Sequence, residues 1–132
     1  MEWCTAKEIM TRPVVSARKN ASARDIALQL LSGLYSGMTV TDDEGRVAGI
    51  VTEFDLLDQI RQERDLSQLT AEDIMTRDVI TVDVDTSVGD VVTTLLDRNI
   101  TRLPVTEKGK VVGVIARCDM LRCSLDPAFI TS

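Results

Sequence analysis

Two seven-residue strings hold the side chains best suited to chemistry in this chain: GIVTEFD, Gly49 to Asp55, and GVIARCD, Gly113 to Asp119. Each ends in an aspartate placed three residues after Thr52 or after its replacement, Ala116. An aspartate in that place has two uses. With Thr52 it completes a helix N-cap, and the glycine then serves only close strand–helix packing. Alternatively, the helix dipole holds the carboxylate ionised, and the acid accepts two hydrogen bonds side by side. The 2′,3′-diol of a ribose supplies that pair of donors. Amides at the same helix end, with a threonine hydroxyl, can hold a phosphate. Ala116 cannot cap, yet Asp119 is still present, which favours a use for the acid beyond the cap.

Composition removes several other chemistries. The 132 residues include no histidine, which excludes Ser-His-Asp and Cys-His catalysis and takes away the commonest zinc ligand. The three cysteines, Cys4, Cys118 and Cys123, are odd in number and lack the spacing of a metal site, so they read as reduced thiols. With no nucleophile beside a base, neither an enzyme nor a bound metal is expected. A net charge of −6 argues against a nucleic-acid partner. The start, MEWCTAKEIM, has no signal-peptide apolar run, and the uncharged stretch from Ala27 to Thr41 is too short to span a bilayer. These features predict a cytoplasmic protein without a membrane partner. Aromatics make up only 3%, so the core must be built from aliphatic residues.

The elements that position the two strings are themselves written twice. TAKEIMTRPVVS from Thr5 lies over TAEDIMTRDVIT from Thr70, and SARDIALQLL from Ser22 over SVGDVVTTLL from Ser87. RVAGIVTEFDLL then matches KVVGVIARCDML after one residue is lost in a turn, DDEG against EKG. Each half predicts a capped helical turn ending near Met10 or Met75, then a strand at Val14–Val15 or Val79–Val82. A helix opening at Ser22 or Ser87 follows, with apolar stripes Ile26, Ala27, Leu30, Leu31, Leu34 and Val91, Val92, Leu95, Leu96. Two strands come next, Met38–Thr41 with Arg46–Val51 and Leu103–Thr106 with Lys110–Ile115, and a last helix closes the unit. The expected domains are a first repeat over 5–61, a linker over 62–69 and a second repeat over 70–124. Residues 1–4 and 125–132 form terminal extensions. A unit this small is marginal alone, so the fold class expected is α+β: two β-α-β-β-α units packed sheet to sheet about a pseudo-twofold axis.

I-M-T-R, the tandem unit, L-P-V and G-h-h-T-x-x-D resemble the cystathionine-β-synthase (CBS) domain pair, or Bateman module, over nearly the whole chain. The resemblance implies a regulatory module, with no required cofactor, that binds adenosine derivatives in clefts between its units. These are AMP, ADP, ATP, S-adenosylmethionine or NAD. It also implies a homodimer in which two modules form a flat disc. Carried over position by position, it gives a first ligand site of Val14, Ser16, Tyr35, Gly37, Met38, Thr52 and Asp55. The second comprises Val79, Thr81, Arg102, Leu103, Pro104 and Asp119. Arg12 and Arg77 are either phosphate contacts or solvent-facing surface residues. The chain departs from the family pattern at Thr39, where proline is usual, at Phe54 and Cys118, where arginine is frequent, and at Ala116. Two functions therefore stand side by side. One is a standalone nucleotide sensor that signals to an unidentified effector protein; the other is a dimerising scaffold whose pockets no longer bind.

Overall fold

The computed structural model describes residues 4–12, 14–33 and 37–125; Trp3, Leu34 and Tyr35 lie outside them. The fold is α+β, with two three-stranded mixed sheets, and the doubled sequence produces doubled elements. Helix α1 (Ala6–Ile9) precedes strand β1 (Ser16–Arg18), helix α2 (Ala23–Gly33), strands β2 (Gly37–Thr41) and β3 (Val47–Thr52), and helix α3 (Glu53–Arg61). A short 3-10 turn at Leu66–Gln68 leads to α4 (Ala71–Ile74), β4 (Val82–Asp83), α5 (Val88–Asp97), β5 (Arg102–Glu107), β6 (Lys110–Ala116) and α6 (Arg117–Leu125). In each sheet the middle strand pairs in parallel with the first and antiparallel with the third.

Local chemistry sets these boundaries. Ser22 and Ser87 cap α2 and α5, their hydroxyls accepting the N–H of Asp25 and Asp90 at 3.0 and 3.2 Å. Thr70 and Asp73 close a full capping box, so the shorter acid serves as well as glutamate. The single-residue difference between halves lies in the hairpins. Lys108 and Gly109 turn β5 into β6 with positive φ at both positions. The longer first loop is held instead by Asp42, whose carboxylate accepts the N–H groups of Glu44 and Arg46 at 2.8 and 2.9 Å. Those same bonds hold the Asp42 carboxyl below the usual carboxylate range.

Two expectations need correction. The first strands form at Ser16–Arg18 and Val82–Asp83, later than the β-branched runs at Val14–Val15 and Val79–Val82. A run with strand propensity becomes strand only where a neighbour supplies backbone partners, and the ladders begin at Ser16 and Val82. Val79 instead gives its N–H to Arg77 in a local turn. The helical stripes are also narrower than expected. Ile26, Leu30, Val91 and Leu95 are buried, but Leu31 and Leu96 are each 74% exposed.

The chain forms two compact units that cut across the repeats. One is contiguous, Val15–Val79, and contains the sheet of the first repeat with α4 of the second. The other joins the chain before Val15 to the chain after Val79, so α1 lies with the second sheet. Each has its own aliphatic core, built on Val40, Val51 and Ile26 in the contiguous unit and on Val105, Ile115 and Val91 in the split one. Cys4 and Cys123 belong to the split unit's core, while Cys118 is exposed. Burial pushes the Cys4 thiol up, and Glu8 and Cys123 add to the effect.

Asp73 carries a testable pH dependence. Bonds from the Thr70 N–H and hydroxyl hold its carboxyl below the ordinary range. A depressed folded-state value gives stability that is present above the unfolded value, about 3.9, and lost as pH falls through the folded one. Asp73→Ala should therefore lower the urea midpoint at pH 7. Its gap to the unmodified chain should close as the pH falls below about 4.

Candidate ligand site

At the end of β3 the chain turns directly into α3, and this junction places the first motif aspartate. Asp55 Oδ2 accepts the Thr52 N–H at 2.8 Å and the Thr52 hydroxyl at 3.1 Å, while Asp55 N–H returns to Thr52 Oγ1 at 3.3 Å. The cap predicted for this motif is thus present and complete. The other carboxylate oxygen, Oδ1, accepts the hydroxyl of Thr76 at 3.2 Å. Thr76 is the threonine of the second I-M-T-R string, and its backbone exchanges two bonds with Ile50, at 2.8 and 2.9 Å.

The split unit repeats this arrangement with the partners reversed. Asp119 Oδ2 accepts the Ala116 N–H at 2.7 Å, and Oδ1 accepts the hydroxyl of Thr11, from the first I-M-T-R, at 3.3 Å. Thr11 and Val114 exchange backbone bonds at 2.8 and 3.2 Å. Asp119 also takes a charge-assisted bond from Arg122, one turn further along α6. Asp119 is buried. Ala116 loses the hydroxyl half of the cap, but the acid still satisfies its backbone half.

The glycines of the two strings make this crossing possible. A Cβ on Gly49 would stand 2.6 Å from Met75 Sδ and 2.8 Å from the Thr76 carbonyl oxygen. One on Gly113 would overlap Met10 Sδ and Cγ. Each I-M-T segment therefore runs over a strand stripped of its side chain. The contact is made by the partner repeat's opening segment, not by a helix of the same repeat.

The other predicted residues are distributed as follows. In the contiguous unit Gly37 pairs with Thr52 across β2 and β3, Met38 pairs with Val51, and Ser16 begins β1 opposite Thr39. Gly37, Thr52 and Asp55 thus gather at the sheet end where α3 starts, with Met38 buried just inside. Arg77 is exposed, its guanidinium 3.5 Å from the Glu72 carbonyl. Val79 precedes the boundary of this unit, and Val14 falls in the other one. In the split unit Arg102 pairs with Ala116 and Leu103 with Ile115, while the side chains of Leu103 and Pro104 are wholly buried. Thr81 lies just before β4, and Arg12 and Thr81 are exposed. Tyr35 lies outside the described residues. Sequence reasoning missed Thr11, Thr76 and Arg122. The two threonines had a visible signal, since they occupy one position in both copies of the repeat.

A family model for the CBS domain matches residues 6–62 and again 71–126. This chain belongs to the CBS family. Among solved structures, the CBS pair resembles that of protein MJ0100 in complex with 5′-methylthioadenosine and S-adenosyl-L-methionine. The two are 30% identical with a TM-score of 0.79, over 91% of this chain and 94% of that one. It also resembles CBSX2 in complex with AMP, at 27% identity and a TM-score of 0.81, over 92% and 96%. Among curated relatives, an L-aspartate semialdehyde sulfurtransferase of Methanocaldococcus jannaschii is 31% identical over 88% of this chain but only 22% of its own length. Protein MK0525 of Methanopyrus kandleri is 29% identical, over 92% of this chain and 63% of its own. The CBS pair thus spans less than two thirds of either relative. Among the described residues no helix is long and apolar enough to cross a membrane, and no cluster of His, Cys, Asp and Glu is arranged to hold a metal.

The two glycines differ in what opposes them, and this predicts unequal mutants. Gly49→Ala meets a backbone oxygen and should cost about 1–3 kcal/mol in urea unfolding, the range of overpacked cores. For Gly113→Ala the three nearest atoms all belong to the Met10 side chain. Combining it with Met10→Ala should recover part of its loss, whereas Gly49→Ala with Met75→Ala should not.

Proposed function

We propose that this CBS pair is a regulatory module that binds an adenosine-containing ligand (AMP, ADP, ATP, S-adenosylmethionine or NAD) and passes binding to a partner protein as conformational or oligomeric change. One observation carries the proposal. Each motif carboxylate stands at a helix start with an oxygen that already accepts a threonine hydroxyl. An acceptor so used is suited to a ribose hydroxyl, and relatives of the same fold are known with AMP or S-adenosylmethionine bound. In the contiguous unit Ser16, Gly37, Met38, Thr52 and Asp55 are the candidates for the first site, with Arg77 as a candidate phosphate contact. In the split unit Thr81, Arg102, Leu103, Pro104 and Asp119 are the candidates for the second, with Arg12 as a candidate phosphate contact. The role is regulatory rather than catalytic and requires no cofactor.

A second reading, a dimerising scaffold, is favoured by apolar surface left uncovered at matching places in the two repeats. Leu31 and Leu96 are equivalent, as are Leu57 and Leu121, and all four are exposed. In the split unit, Val92, Leu95, Leu96, Met120 and Leu121 line a groove of about 370 Å³ between α5 and α6. We assign this helical face to homodimer formation, the contact that a scaffold requires.

Thermal shift with AMP, ADP, ATP, S-adenosylmethionine and NAD separates the two functions. A ligand at a hundred times its Kd stabilises by about 2.7 kcal/mol, so a true ligand should raise the melting temperature clearly. Asp55→Ala should then weaken binding about ten- to a hundredfold, the loss of a charged hydrogen-bond acceptor. No shift with any of the five would favour the scaffold. The dimer is tested independently by Leu96→Glu with Leu121→Lys. Light scattering should report a monomer, and a dimer that survives both changes would exclude this face.

A further inference from the structure

The two motif carboxylates occupy equivalent positions but do not have equivalent partners. Asp119 is bonded by Arg122 three residues on, and its side chain is only 6% exposed. The position three residues after Asp55 is another acid, Asp58, whose carboxylate is taken up by Arg61 at 2.6 Å and by Gln62 at 3.0 Å. Among the described residues the donors to Asp55 are neutral: the Thr52 N–H, the Thr52 hydroxyl and the Thr76 hydroxyl. A ribose diol arriving at Asp55 exchanges one neutral hydroxyl for another, and the displaced threonine can rotate towards water. At Asp119 the Thr11 hydroxyl offers the same neutral exchange, but it shares Oδ1 with the Arg122 guanidinium on a carboxylate that is buried. A diol there must fit beside a charge-assisted bond, or break it and leave a buried charge without its counter-ion.

We infer that Arg122 locks Asp119 and that Asp55 alone is open, so the chain takes one adenosine ligand, in the contiguous unit. This inference rests on the adenosine reading and narrows it: the second carboxylate is structural, and Arg122 sets the stoichiometry. It also accounts for Ala116, since a pocket closed by an ion pair has no use for the hydroxyl that Thr52 retains in the first copy.

Calorimetric titration of the full chain with AMP, and separately with S-adenosylmethionine, tests it. Unmodified protein should bind one ligand per chain. Asp55→Asn should weaken that site at least tenfold, and Asp119→Asn should change it less than twofold. Arg122→Met should add a second ligand per chain, with Arg122→Gln as the alternative variant and circular dichroism confirming the fold of both. Two ligands per chain in the unmodified protein, a single site lost with Asp119→Asn rather than Asp55→Asn, or one ligand still bound by both folded Arg122 variants would each overturn the lock while leaving adenosine binding intact. No binding of either compound by any variant would overturn both the lock and the adenosine reading.

Discussion

The structure depends on an exchange: the Ile-Met-Thr segment of each repeat is held by the third strand and closing helix of the other. Three contacts act at one place, namely a pair of backbone hydrogen bonds, a methionine lying over a glycine, and a threonine hydroxyl on the motif aspartate. Each is modest alone, a neutral hydrogen bond contributing about 1 kcal/mol net. The methionine–glycine contact makes them specific, because a side chain at that strand position would occupy the space the methionine fills. The two copies differ in entropy. Thr76 reaches Asp55 across 21 residues, whereas Thr11 reaches Asp119 across 108. Closing the longer loop costs about 1.5 kcal/mol more, so the split unit has more ordering to offset with its own core.

This exchange changes the meaning of the motif. Capping and ligand binding present themselves as alternatives in the sequence, but the carboxylate has two oxygens. In both units one oxygen closes the helix start and the other takes a hydroxyl. The capping role explains why the acid can stay where the threonine has gone, because the Ala116 N–H still needs an acceptor. The second oxygen is where the copies diverge. Among the described residues, one takes a neutral hydroxyl and the other is also paired with an arginine on its own helix.

The leucines outside the core have a similar logic. Leu31 and Leu96 lie in stripes of helical spacing and read as core in the sequence, yet both are mostly exposed. A helix buries only the arc that a neighbouring element covers, and α2 and α5 are covered on a narrower arc than their composition would fill. That the same positions are left uncovered in both repeats, together with a groove between α5 and α6, makes the apolar excess a surface feature of the unit and not an accident of one copy.

The sequence by itself determined the duplication, the order of elements, the serine and threonine caps, the turn that absorbs the lost residue, and the placing of both aspartates at helix starts. These are local properties, set within three or four residues by propensity and capping geometry, or visible as self-similarity. Strand limits at Ser16 and Val82 were not legible, because they depend on where a neighbouring strand offers backbone partners. The pairing of I-M-T-R with G-h-h-x-x-x-D was decided only by the tertiary structure. Both strings occur in both repeats, so each Thr-Asp partnership has two assignments that look alike in sequence. Only the path of the chain through space brings Thr11 to Asp119 and Thr76 to Asp55.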